Sequence, residues 1–138
     1  MTSHSTNYFN TFIEVAEDCS VVEAEIPKAK SGKPTVASLQ YELLQEQPYT
    51  FSSDELLFAV YAERKNIAAD EQLEARASFF ARPQACMRAS PLPKRYGWGV
   101  YSNAEGKLAL IALESAEYDR LSKDKTLSHV KAMRSKRC

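Results

Sequence analysis

The stretch RASPLPKRYGWGVY, residues 88–101, holds the densest set of chemically useful side chains in the sequence. Arg88, Lys94 and Arg95 supply positive charge, Tyr96 and Trp98 supply flat aromatic surface, and Gly97 and Gly99 leave backbone bare. Cations beside an aromatic wall suit a small anionic ligand, one carrying a phosphate or carboxylate and a flat group. On a strand over 96–102, Tyr96 and Trp98 share one face and the two glycines lie on the other. Packing offers a competing role, with the aromatic pair in the core and the glycines making room for a crossing helix. The run YGWG lacks the G-x-G-x-x-G turn into a helix, so it is neither a dinucleotide fingerprint nor a Walker loop. The leading reading is an intracellular domain that binds such an anionic ligand or a protein partner, and an enzyme acting on a phosphorylated or carboxylated metabolite is the alternative. It would use Arg88, Lys94 and Arg95 to stabilise charge and Tyr96 as an acid.

A second basic set, Lys131, Arg134, Lys136 and Arg137, lies in a tail that begins at about residue 125. With Tyr96 or Trp98 as a stacking platform it would form a nucleic-acid surface. The eighteen basic and eighteen acidic residues cancel, which argues against nucleic acid as the partner. A solvated tail is the plainest reading, and docking of the tail on its own domain, or across a homo-oligomer, has better support than a nucleic-acid arm. Val130 and Met133 give it apolar anchors, and residues 1–27 carry five acids and no Lys or Arg.

Other chemistries find little footing. His4 and His129 are isolated from each other and from any C-x-x-C pair, so neither a metal nor another cofactor is expected. Cys86 sits in ACMRA, where a buried inert thiol is the plainest reading. Arg88 would lower its pKa only if both faced one side of a strand, and no histidine is near in sequence to act as base. Asp70, Glu71 and Glu74 have the look of a helix surface and not of a paired acid and base.

These groups must be positioned by a small set of elements. TFIEVAE (11–17) reads as a strand, Val21 to Ile26 as a brief extended run, and 27–34 as an exposed loop broken by Pro27, Gly32 and Pro34. Residues 35–47 form a helix capped by Thr35, with Val36, Leu39 and Leu43 inward and Gln40 solvated. Segment 52–64 carries both a Ser52/Glu55 capping box and the alternation Leu56, Phe58, Val60; its length and neighbours favour a strand over about 55–63. Residues 69–81 follow as a helix capped by Asp70, with a stripe of Leu73, Ala77 and Phe80. Residues 84–90 suggest a short strand. Residues 96–102 and 107–113 form a hairpin whose turn places Gly106 at positive φ. Ser115 caps a last short helix with Tyr118 and Leu121 inward, and the tail adds a strand or helix turn around 130–133. The sum is an α+β two-layer sandwich with a mixed or antiparallel sheet and about three helices.

At 138 residues, 44% hydrophobic and 26% charged, the chain fits one domain spanning 1–138. No apolar run approaches the roughly 18 residues of a membrane span. Three scattered cysteines, and a start without a charged and apolar leader pattern, point to a cytoplasmic protein with no membrane partner.

Four runs in order, TNYFNTFIEVAEDC (6–19), QYELLQEQPYTFSSDELLF (40–58), RASPLPKRYGWG (88–99) and KAMRSKR (131–137), resemble one small uncharacterised single-domain family. It is a domain of unknown function found in bacteria and some fungi. The resemblance runs over roughly 6–137 and implies an intracellular stand-alone domain sharing the Lys94-to-Gly99 and Lys131-to-Arg137 regions. It carries no activity, cofactor or catalytic role onto any residue, and Cys138 lies beyond its usual ending.

Overall fold

The computed structural model describes residues 5–134. Four strands, β1 (Thr11–Glu14), β2 (Trp98–Ser102), β3 (Leu108–Ala112) and β4 (Ser128–Lys131), form one sheet in the order β3-β2-β1-β4. The sheet is mixed: β1 pairs antiparallel with β2, opposing Phe12 to Tyr101, and parallel with β4, opposing Ile13 to Val130. The described helices are α1 (Val36–Glu46), α2 (Ser53–Lys65), α3 (Gln72–Phe80), α4 (Pro91–Arg95) and α5 (Ala116–Ser122). The expected α+β class holds.

Strand alternation divides the core. Ile13, Val100 and Leu108 face Leu39 and Leu44 of α1 and Leu56 and Val60 of α2. Phe12 and Ile111 point the other way, onto Leu121 and Tyr118 of α5. The β2–β3 hairpin turns as expected, with Gly106 at φ 79°.

Segment 52–64 is a helix and not a strand. Ser52 accepts from the Glu55 N–H, and the Glu55 carboxylate accepts from the Ser52 N–H, so both halves of the capping box form. Asn66 then closes α2 in the left-handed conformation at φ 54°. The misleading alternation has a physical origin. Leu56 and Val60, four apart, pack toward the sheet, while Phe58 and Ala62, also four apart, pack toward Phe80 of α3. Two helical stripes offset by two residues reproduce a strand's period.

Four further expectations change. Residues 84–90 are irregular, with a 3-10 turn at Met87–Ala89, because Ser90 caps α4 and Pro91 begins it. Asp70 does not cap α3, which follows a 3-10 turn at Ala69–Glu71. On α3 the buried stripe is not Leu73, Ala77 and Phe80: Leu73 is 85% exposed, and Phe80 packs with Ala75 and Phe79 against α2. Gln40 is buried and not solvated, because the Ser90 hydroxyl donates to its Oε1 at 2.6 Å.

Candidate functional site

The 88–101 segment divides among several tasks. Tyr96 is the C-cap of α4 and lies outside β2, so it does not alternate with Trp98 on one strand face. Trp98 is buried: its ring lies 5.4 Å from Tyr41 between centroids, and its Nε1–H donates to the Glu25 carbonyl at 2.8 Å. The glycines are pressed against neighbours. A Cβ on Gly99 would come within 2.8 Å of the Phe12 ring, and one on Gly97 within 2.8 Å of Val21. Lys94 and Arg95 end α4 and form no ion pair among the described residues.

Arg88 is engaged by the C-terminal strand. Its Nε donates to the Lys131 carbonyl at 2.6 Å, and its own carbonyl accepts from the Met133 N–H at 2.8 Å. Cys86 is not on a strand with Arg88; its Sγ shares a hydrogen bond with the Tyr8 hydroxyl at 3.3 Å. Burial, then that hydrogen bond, pushes the Tyr8 hydroxyl up to about 12, so it stays protonated at neutral pH and is no base there.

The tail docks on its own domain. β4 pairs with β1, Ala132 is buried and Val130 is half-buried, but Met133 is 50% exposed and is not the anchor expected of it. Glu17 receives both Arg134 and Lys131, the latter at 3.7 Å. The Arg134 hydrogen bond and charge hold the Glu17 carboxyl below its ordinary value, with Lys131 adding to the effect. Lys136 and Arg137, like His4, lie outside the described residues.

A cleft that the sequence did not announce opens between α1, α2 and the chain after α3. About 230 Å³ is walled by Val36, Leu57, Val60, Tyr61 and Phe79, with Arg64 and Lys65 at the last turn of α2. Tyr61 and Phe79 stack at 4.6 Å between centroids, and the Gln84 amide donates to the Phe79 carbonyl at 2.7 Å, fastening the wall. The lining contains no carboxylate. It includes Gln40. The Ser90 hydroxyl accepts from the Leu92 N–H and donates to the Gln40 Oε1. The Gln40 NH2 is left as a donor with no partner among the described residues.

Two further depressions share lining residues with it: one of about 430 Å³ shares Tyr61, Phe79 and Gln84 and includes Arg82. One of about 340 Å³ shares Arg64 and is lined also by Lys33, Pro34, Leu39 and Glu63. Apolar walls, a buried amide donor and cations at the margins can hold an anion with an apolar body. None of Arg88, Lys94, Arg95, Tyr96 or Trp98 lines these spaces. The signal available in the sequence was Tyr61 and Arg64 at helical spacing, legible only once 52–64 is read as a helix.

A mixed four-stranded sheet with α1 and α2 over one face and a cation-rimmed cleft beside them defines an α+β fold. The chain belongs to a family of unknown function (DUF6157), whose model matches residues 3–138. No curated protein and no solved structure matches it. No helix among the described residues is long and apolar enough to cross a membrane.

Proposed function

We propose that this protein is an intracellular binding domain whose ligand is a small amphipathic anion held in the α1–α2–α3 cleft. The observation that carries this reading is the lining itself: six apolar or aromatic residues, two cations and no carboxylate. The apolar body of the ligand packs on Val60, Tyr61 and Phe79. Its charged group meets Arg64 and Lys65, with the Gln40 amide as a further donor. The sequence-derived anionic ligand is kept, and its place moves from 88–101 to α2. Trp98 and Arg88 favour the move, because both are already engaged in holding the fold.

Anilinonaphthalenesulfonate, a flat apolar anion, is the probe, with uncharged N-phenylnaphthylamine as its control. The Arg64→Gln/Lys65→Gln variant alters only exposed charges and keeps the fold. Its affinity for the sulfonate should fall about tenfold, from two contacts of up to about 1 kcal/mol each, while the neutral probe is unaffected. Equal sulfonate affinity in the folded variant and the wild type overturns the assignment.

A further inference from the structure

The exposed loop expected at 27–34 contains an ordered device. Lys30 and Lys33 exchange both backbone hydrogen bonds, at 2.9 and 2.8 Å, across a two-residue turn. Ser31 at φ 51° and Gly32 at φ 76° are both left-handed, the geometry of a tight hairpin turn. The pairing sets two lysine side chains directly opposite each other, an arrangement that like charges disfavour. Neither makes an ion pair among the described residues, although acids are as numerous as bases in the chain. Lys33 also lines the 340 Å³ depression with Arg64, where Glu63 is the single carboxylate. Lys33 and Arg64 on its lining outweigh it, and Lys30 stands opposite Lys33 across the turn. A pair of cations with no ion-pair partner among the described residues, beside a concave space that shares Arg64 with the apolar cleft, is arranged for a multiply charged anion.

We propose that Lys30, Lys33 and Arg64 form a phosphoryl-binding site at the end of the cleft, so that the ligand is a soluble phosphorylated molecule with an apolar body. This rests on the cleft reading for the apolar part only. The concavity walled by Pro34 and Leu39 favours a group that enters it over a headgroup fixed in a bilayer plane.

Calorimetric titration with pyrophosphate at low salt tests the site in the wild type and in Lys30→Gln/Lys33→Gln. The expected result is binding by the wild type that weakens at least tenfold in the variant. The variant should unfold at the same or a higher denaturant concentration, because the cross-strand repulsion is gone. Equal binding by both proteins overturns the proposal. So does wild-type binding to phosphatidylcholine vesicles containing phosphatidic acid without binding to pyrophosphate. The anilinonaphthalenesulfonate titration separates the two readings: pyrophosphate failure with sulfonate binding intact removes the phosphoryl site alone, and the reverse removes the cleft alone.

Discussion

Glu55 joins two parts of the molecule through one carboxylate. It accepts from the Ser52 N–H at 2.9 Å, closing the cap of α2, and from Lys107 at 3.0 Å beside the hairpin. The Ser52 hydrogen bond, then that of Lys107, holds its carboxyl below the ordinary value. A depressed carboxyl stabilises the fold above its unfolded pKa, and that contribution is lost as pH falls through the folded value. Glu55→Ala should therefore cost about 1 kcal/mol at neutral pH, the usual loss for a cap, and progressively less below the carboxylate range. Urea unfolding of both proteins at neutral and acid pH measures this; a difference that stays constant with pH would refute the assignment. Gln40 shows the same dependence on a distant partner. Its burial is set by Ser90, fifty residues away in sequence, so no local pattern could have placed it inside.

At the scale of elements, legibility followed locality. The α1 cap at Thr35, the β2–β3 hairpin with Gly106 and the Ser115 cap of α5 depend on neighbours within a few residues, and each was readable. The α2 helix was misread because it is buried on two sides, and only the Ser52/Glu55 box distinguished helix from strand. The candidate cleft was not readable, because its walls come from α1, α2, α3 and the chain after it. The tail was half readable: its docking on the domain was expected, but its anchor is Ala132 with Val130 and not Met133. Truncation after Thr126 removes β4 and the Glu17 pairs. The loss of its ladder hydrogen bonds should lower stability on the order of 3 kcal/mol, since each contributes about 1 kcal/mol net. Chemical denaturation of the truncated and full chains decides it, and an unchanged midpoint would mean that β4 contributes nothing to the fold.

Over the whole molecule, zero net charge conceals an uneven distribution. The acidic N-terminal segment meets the basic tail, with Glu14 near His129 and Glu17 holding Lys131 and Arg134. Those tail cations are thereby compensated within the chain. Lys30, Lys33, Arg64 and Lys65 have no ion-pair partner among the described residues, and the last three line the spaces beside α2. The proposed binding site lies on the α1–α2 side of the sheet, while Arg88 and Trp98 of the 88–101 segment are engaged in holding the fold. Amide and methyl chemical-shift mapping with anilinonaphthalenesulfonate tests that division most directly. The account predicts that the largest shifts fall on Val36, Leu57, Val60 and Tyr61, with Lys94, Arg95 and Tyr96 undisturbed. Shifts concentrated on Lys94 to Tyr96, or spread evenly over the protein, would contradict it.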